Sequence, residues 1–212
     1  MNENNFHNNF PLYDPRFEHD ACGTGFVANI SGKKSNKILK RALKAVCNVT
    51  HRGAVDADAQ TGDGSGILTQ LPHKFFLSNV PDLSSQLRGE SDLAVGMLFM
   101  PHTTEHAFTV AKTLVESVIR KRELRLLGWR IVPTDSSYLG DKAAATQPNI
   151  RQVLIGKPPH LTAAEFERAL YICRKEIERE VTNASIDNFY VASFSSGTIV
   201  YKGLITPTAL DK

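Results

Sequence analysis

The sequence predicts an α+β protein in which antiparallel β-sheets are layered against helices. Short apolar runs typical of strands occur between segments whose apolar residues recur at helical spacing. The predicted order is strand, helix, strand, strand, helix, strand, strand, helix and a final hairpin. Pairs of strands mixed with helices in this way favour antiparallel sheets with helices on their faces. The 212 residues are enough for one domain with a sizeable core.

The first half of the chain contains a polar leader and four predicted elements. Residues 1–12 are rich in asparagine and are expected to be disordered. An apolar, β-prone run predicts a strand over residues 25–30, and helical periodicity predicts a helix over residues 35–47. A short strand is expected at residues 67–71 and a helical turn at residues 73–77.

The second half starts with the most apolar segment of the chain. Residues 92–100 are predicted to form a strand, and residues 103–122 a helix with one apolar face. A strand is expected at residues 128–132, a polar loop at residues 135–148, and another strand at residues 150–155.

The last predicted helix begins at a capping box, in which Thr162 is followed three residues later by Glu165. After this helix, strands are expected at residues 189–194 and 198–202. The Ser-Ser-Gly sequence at residues 195–197 joins them and predicts a β-hairpin.

The composition argues against several classes of protein. Apolar residues make up 42% and charged residues 22% of the chain, as in ordinary globular proteins. The net charge of +3 is too small to indicate a nucleic-acid partner, and no stretch has the length of a membrane-spanning helix. The N-terminus lacks the basic start and apolar run of a signal peptide, so a cytoplasmic location is expected.

The cysteines and histidines do not form a metal-binding motif. No Cys-x-x-Cys or His-Glu-x-x-His spacing occurs, so no metal site is expected in the chain. Cys47 and Cys173 fall on the apolar faces of predicted helices, which assigns both to the core.

Cys22 is the candidate nucleophile. It stands at the head of an apolar run, is followed by Gly23 and Gly25, and is preceded by a short polar leader. Cleavage after Ala21 would give this cysteine a free α-amine, whose pKa near ~8 allows it to act as a base beside the thiol. The alternative is an ordinary buried thiol at the start of a strand.

Two more motifs follow the first predicted helix. The first is THRGA at residues 50–54, in which Arg52 can stabilise a thiolate or bind a substrate carboxylate. The alternative is a helix terminus, in which Gly53 ends the helix and Arg52 binds the last carbonyl groups. In TGDGSGI at residues 61–67, three glycines predict a very close approach to another part of the backbone. The central Asp63 can hold a substrate ammonium or cap a turn.

Several short stretches occur in an order typical of one known family. They are HDACGTGF at residues 19–26, THRGA at 50–54, TGDGSGI at 61–67, LPH at 71–73, LGWR at 127–130, IRQV at 150–153, FER at 166–168 and residues 193–203. Together they resemble the start of the glutamate synthase large subunit, over essentially everything from Tyr13 onward. The glycine-rich stretch separates this family from other class II glutamine amidotransferases, which share only the Cys-Gly and His-Arg-Gly elements.

The resemblance implies a four-layer αββα Ntn-hydrolase fold, with two antiparallel sheets between helix layers, that is incomplete at the C-terminus. It implies that residues 1–21 are a propeptide and that residues 22–212 are the N-terminal part of a type-2 glutamine amidotransferase domain. The exposed Cys22 would attack the side-chain amide of L-glutamine, form a γ-glutamyl thioester and release ammonia. Hydrolysis of the thioester would then yield glutamate.

The resemblance also implies which residues form the site. Arg52, Gly53 and Asp63 are expected to contact the substrate. Supporting positions are expected at Gly23, His51, Gly62, Gly64 and Gly66.

No cofactor is expected in this chain, whereas the resemblance implies FMN and a 3Fe-4S cluster in the full-length enzyme. The implied partners are the synthase domains, which use the ammonia to convert 2-oxoglutarate to glutamate, with a small reductase subunit as a further candidate. The Asn-Gly pair that supplies the family's oxyanion hole does not occur before Lys212, so the chain is expected to be a fragment. The alternatives are a non-catalytic docking module and another class II amidotransferase.

Overall fold

The computed structural model describes residues 23–52 and 61–211, which form six strands and six α-helices. In chain order they are α1 (Asn36–Asn48), β1 (Ser65–Gln70), α2 (His73–Asn79), β2 (Leu93–Met100), α3 (Glu105–Lys121), β3 (Arg125–Ile131), α4 (Asp141–Ala145), β4 (Asn149–Gly156), α5 (Ala163–Asn183), β5 (Tyr190–Ser195), β6 (Thr198–Gly203) and α6 (Pro207–Leu210).

The strands form two antiparallel sheets. The larger sheet has four strands in the order β3-β4-β2-β5, and the smaller one pairs β1 with β6. The central strand β2 is hydrogen-bonded on both sides, to β4 and to β5. All but one of its residues are buried, which fits the nearly continuous apolar sequence LAVGMLFM.

Side chains of β2 alternate between two separate hydrophobic cores. Ala94 and Leu98 point to one face, where α3 and α5 cover the sheet. Val95 and Met97 point to the other face and pack with Leu71, Phe76, Leu83 and Ile199 in the space between the two sheets.

The helices form two outer layers. Helices α3 and α5 contact each other on the four-stranded sheet, while α1 and α6 contact each other and β1. The partly buried face of α1 consists of the residues that helical periodicity predicts: Ile38, Leu39, Ala42, Leu43, Val46 and Cys47. The order of layers is therefore helix, four-stranded sheet, two-stranded sheet, helix, and the expected αββα architecture is confirmed. None of the helices in the described residues is both long and apolar enough to span a bilayer.

Local capping sets where the long helices begin. Ser35 accepts a hydrogen bond from the backbone of Ile38 at the start of α1. At the start of α5 the predicted capping box is present: the Thr162 hydroxyl accepts from the backbone of Glu165, whose carboxylate accepts from the backbone of Thr162. These hydrogen bonds, first from the Thr162 backbone and then from its side chain, lower the pKa of Glu165 below its ordinary value.

Two sequence predictions about strands are wrong. Residues 25–30 do not form a strand and pair with none of the described strands, leaving Phe26 94% exposed. The final two strands do not form a hairpin, because β5 pairs with β2 and β6 pairs with β1. The tight connection at Ser196 and Gly197 instead carries the chain from one sheet to the other.

The segment expected to be a polar loop, residues 135–148, contains the short helix α4 and a 3₁₀ turn at Ser136–Tyr138. Strand β3 begins three residues earlier than predicted and carries a bulge where its register with β4 shifts between Leu126 and Gly128. Gly128 has a φ of +153° there, which favours a residue without a side chain.

Candidate active site

The described residues begin one position after the candidate nucleophile. Cys22 and Gly53 lie outside the described residues, and the side chain of Arg52 does too. Gly23 is exposed and starts the unpaired segment of residues 23–30. Two supporting elements of the expected site are described, namely the end of α1 and the glycine-rich loop of residues 61–66.

The glycine-rich loop packs directly against the end of β6 and the segment that follows it. A Cβ atom at Gly66 would lie 2.6 Å from the Cβ of Lys202. One at Gly62 would lie 3.0 Å from the carbonyl oxygen of Ile205. Side chains cannot be accommodated at these distances without movement of the backbone, so the close approach predicted from the three glycines is confirmed.

The same loop has a constrained centre. Gly64 adopts a φ of +127°, which strains any residue that carries a Cβ atom. The Ser65 hydroxyl donates a hydrogen bond of 2.9 Å to the carbonyl oxygen of Ile205. Asp63 lies between Gly62 and Gly64 and is exposed as a residue.

Helix α1 ends earlier than in the alternative in which Gly53 terminates it. The helix ends at Asn48 with Val49 as its C-cap, and the Thr50 hydroxyl donates a 2.6 Å hydrogen bond to the carbonyl oxygen of Cys47. A 3₁₀ turn then follows. The helix therefore ends before residue 53, and the prediction that Gly53 terminates it is wrong. The predicted contact of the Arg52 side chain with the last carbonyls lies outside the described residues.

The end of α1 and the glycine-rich loop both contact the segment of residues 203–210. The Cys47 thiol in the last turn of α1 donates to the carbonyl oxygen of Pro207, 3.4 Å away. The segment of residues 203–210 also packs on the glycine-rich loop and on β1. The last turn of α1 and the glycine-rich loop thus contact the same segment, and the exposed His51 follows shortly after that turn.

Sequence reasoning missed a polar group between the two sheets. Gln152 is fully buried, and its amide oxygen accepts a 2.9 Å hydrogen bond from Nη1 of Arg130. Burial raises the pKa of the nearby Tyr201 phenol, while Gln152 and the charge of Arg130 act in the opposite direction. The sequence does contain a signal for it, because Gln152 stands within the apolar run of β4. A polar side chain buried by such a strand requires hydrogen-bond partners.

The comparison with known families agrees with this arrangement. The family described as "Glutamine amidotransferases class-II" matches residues 22–212. The chain belongs to this family.

Individual members of the family show more specific similarity. The glutamate synthase (NADPH) large chain of Azospirillum brasilense is 40% identical over 192 residues, which cover 91% of this chain and 13% of that protein. Ferredoxin-dependent glutamate synthase 2 of Synechocystis is 40% identical over 195 residues, 92% of this chain and 12% of that protein. The glutamate synthase (NADH) of Saccharomyces cerevisiae is 40% identical over 206 residues, 92% of this chain and 9% of that protein.

The described thiols of this amidotransferase domain lie in different helix layers. Burial in the core under α5 raises the pKa of the Cys173 thiol to about 12, which disfavours the reactive thiolate. Cys47 lies on α1, on the opposite side of the sheets. Among residues 23–52 and 61–211, no three His, Cys, Asp or Glu side chains converge as metal ligands. These residues do not fit an iron–sulfur cluster, which requires several convergent thiolates.

Proposed function

We propose that this chain carries the glutaminase activity of a glutamate synthase, with Cys22 as an N-terminal nucleophile. The observation that carries the proposal is the family match, which starts at residue 22. Identity of 40% to glutamate synthases that differ in their named electron donors supports the assignment to this branch of the family.

The proposed reaction begins with removal of residues 1–21. The freed α-amine of Cys22 accepts the thiol proton, and the thiolate sulfur attacks the amide carbon of glutamine. The tetrahedral oxyanion collapses, the C–N bond breaks, and the ammonium group of Cys22 returns its proton to the leaving nitrogen. Water, deprotonated by the same amine, then cleaves the γ-glutamyl thioester to glutamate and regenerates the thiol.

The remaining site residues would bind and orient glutamine. We assign Arg52 to the α-carboxylate, because a guanidinium binds carboxylates in bidentate geometry. The exposed Asp63 suits the α-ammonium group, and its flanking glycines keep the loop against residues 202–205. Gly53 would leave room for substrate beside Arg52. We assign supporting roles to Gly23 and His51.

In the whole enzyme, the ammonia would pass to synthase domains that convert 2-oxoglutarate to glutamate. FMN and a 3Fe-4S cluster would be held by those domains. This division is supported by the described cysteines, which do not converge, and by the length of the relatives, of which the chain spans 13% in the Azospirillum protein.

The proposal is tested by covalent labelling with a diazoketone analogue of glutamine. Its activated carbon alkylates a nucleophilic thiol and releases dinitrogen. We expect one label per chain, on Cys22, together with an N-terminus that starts at this residue, as read by mass spectrometry. Cys22→Ala should abolish labelling, while the matched variant Cys47→Ala should retain it.

Each other outcome contradicts the proposal. A label on Cys47 or Cys173 would identify a different nucleophile. An unlabelled chain would favour the non-catalytic docking module. A label on a chain whose leader is intact would exclude the α-amine of Cys22 as the base.

A further inference from the structure

The charges of this chain are unevenly distributed along its sequence. Residues 23–52 contain seven Lys and Arg and no Asp or Glu, whereas residues 1–21 contain four Asp and Glu and one Arg. Residues 53–212 are nearly balanced, with 17 Lys and Arg against 18 Asp and Glu. Two adjacent segments of opposite charge therefore carry most of the imbalance, and the structure describes the basic one.

Helix α1 gathers most of the basic charge on its outer side. Positions 37, 40, 41 and 44 are three or four residues apart, which places their side chains on one side of a helix. All four are exposed, whereas the apolar side of α1 is partly buried and the helix contacts β1 and α6. We call these four residues the basic face of α1: Lys37, Lys40, Arg41 and Lys44.

The basic face has no carboxylate partner in the part of the chain that the structure describes. None of its four side chains forms an ion pair with residues 23–52 or 61–211. Helix α6 contacts α1 and is followed by Asp211, but this carboxylate is not paired with the basic face. On the opposite helix layer, by contrast, Glu116, Glu176 and Glu178 each pair with two or more basic side chains.

This arrangement of charges opposes the stability of the isolated helix. Basic residues three or four positions apart repel each other. Lys37 also lies in the first turn of α1, which contains no acidic residue, although the helix dipole favours anions there. A negatively charged segment across the basic face would counteract both effects. The charges therefore indicate an acidic partner.

The size and composition of the surface limit what this partner can be. The other exposed residues of α1 are Asn36, Ala45 and Asn48, so the helix presents no large apolar side chain that could enter a bilayer. From residue 37 to residue 44 the basic face is about 10 Å long, at about 1.5 Å per residue. This length is short for a nucleic-acid site, which contacts many phosphates. A polypeptide segment with a few carboxylates fits the surface better.

Residues 1–21 have this chemistry and belong to the same chain. Their carboxylates are Glu3, Asp14, Glu18 and Asp20, against the single cation of Arg16. Attachment to the same chain gives such a segment an effective concentration in the millimolar range, so even weak ion pairs are populated.

The connection between residues 1–21 and α1 allows the contact. A turn, closed by a 2.8 Å hydrogen bond from the backbone N–H of Gly32 to the carbonyl oxygen of Asn29, reverses the chain between residues 23–28 and α1. Six residues can span at most about 20 Å, and the helix of 13 residues is also about 20 Å long. The acidic residues that precede Cys22 can therefore reach the whole basic face.

We propose that residues 1–21 dock on the basic face of α1 as long as they are attached to the chain. The carboxylates of residues 14, 18 and 20 pair with its cations, and removal of the segment exposes them. This inference does not use the glutaminase chemistry. A chain that is not labelled at Cys22 can still form the contact, and a labelled chain can lack it, so the two proposals fail separately.

The first test is zero-length cross-linking of the 212-residue chain with a water-soluble carbodiimide. This reagent condenses a carboxylate with a lysine amine to an amide and takes up the released water as a urea. The intact mass verifies that residues 1–21 are attached, and a synthetic peptide of residues 1–21 is added where they have been removed. We expect amide links between the carboxylates of residues 14, 18 and 20 and the lysines of the basic face, within the monomer. Their yield should fall about five-fold in 1 M NaCl, where the Debye length is about 3 Å.

Hydrogen–deuterium exchange of α1 gives the second readout. The triple variant Asp14→Asn, Glu18→Gln, Asp20→Asn, or the peptide with the same changes, removes the negative charges that counteract repulsion within the helix. We expect exchange at residues 36–48 to become about three-fold faster, while α3 and α5 exchange at the wild-type rate.

A matched control neutralises three exposed acidic residues that form no ion pair with the described residues. Its changes are Asp82→Asn, Glu123→Gln and Asp187→Asn. This variant alters the net charge by the same amount and should leave the exchange of α1 unchanged.

Four results would overturn the proposal. Cross-links that are missing at low salt, or that join residues 1–21 equally to lysines of every element, would exclude specific docking. Links found only in a dimer would place the segment on a second copy of the chain. Links from the basic face to residues 53–211 would assign its partner to the rest of the domain. Equal exchange of α1 in the triple variant and the control would show that the charges of residues 1–21 do not act on this helix.

Discussion

At the scale of single residues, Gly66 shows how closely the glycine-rich loop is fitted. Its position would bring a methyl group within 2.6 Å of the Lys202 Cβ and 2.8 Å of the Tyr201 carbonyl oxygen. We expect Gly66→Ala to force β1 and β6 apart and to lower the free energy of unfolding by about 2 kcal/mol, as overpacking does elsewhere. Urea denaturation measures this change.

The matched control is Gly89→Ala, because a Cβ atom at Gly89 would have nothing within 4 Å. This variant should unfold at the wild-type urea concentration within error. If Gly66→Ala behaved in the same way as the control, the close contact between the loop and β6 would not exist in solution.

Residue types alone predict some positions well and others poorly. Helical periodicity places Cys173 in the core, where it is fully buried, and Cys47 on the inner face of α1. The glycine spacing predicts a close backbone approach but does not identify β6 as the neighbour. The pairing of Gln152 with Arg130 is not predicted, because the two residues come from different strands and are brought together only by the fold.

At the scale of elements, one carboxylate joins the two long helices of the outer layer. Glu176 of α5 is buried and pairs with Lys121 at 2.6 Å and with Arg122 at 2.5 Å, at the end of α3. Their hydrogen bonds, first from Lys121 and then from Arg122, lower the pKa of Glu176 below its ordinary value of 4.5. Lys121 and Arg122 also suit the C-terminal end of α3, where the helix dipole favours cations.

Glu176→Gln should destabilise the domain by about 2 kcal/mol near neutral pH, since the buried carboxylate loses its charged hydrogen bonds to the more exposed Lys121 and Arg122. Because the folded-state pKa is lowered, the contribution is present above the unfolded value of 4.5 and is lost as pH falls through the folded value. The difference in stability between wild type and variant should therefore shrink in acid, as followed by urea denaturation over a pH series.

A matched variant is Glu178→Gln on the same helix. Glu178 pairs with Arg174 and Lys175 within α5 and is more exposed, so its loss should cost about 0.5 kcal/mol. Equal effects of the two variants would show that Glu176 does not link the helices.

Elements differ in how far the sequence alone specifies them. The ends of α1 and the start of α5 are predicted to within one residue, because the caps at Ser35 and Thr162 and the apolar spacing are local features. The hairpin prediction for β5 and β6 fails because pairing partners are a non-local property. A Ser-Ser-Gly turn permits a hairpin, but it equally permits a crossing between sheets when β2 and β1 offer the better partners.

At the scale of the whole molecule, the αββα order follows from two apolar faces on the central strand. Because β2 is covered on one face by helices and on the other by a second sheet, it lies at the centre of both hydrophobic cores. The sequence predicts the class of fold through the apolar run at residues 92–100, whereas the division of strands between two sheets needs the structure. Residues 25–30 have strand-like composition without a strand partner among the described residues, and their amides therefore lack sheet hydrogen bonds.

These layers predict a gradient of local stability across the domain. Amide hydrogens of β2 should exchange most slowly, because the strand is paired on both sides and buried on both faces. Those of the two-stranded sheet should be intermediate, and residues 23–30 should exchange at nearly the rate of an unstructured peptide. Hydrogen–deuterium exchange with peptide-level mass spectrometry on the 212-residue chain measures all three classes in one experiment. If residues 23–30 were protected as strongly as β1, this segment would be paired in solution. That result would contradict the unpaired arrangement. It would also place Gly23 on an ordered strand beside the candidate nucleophile.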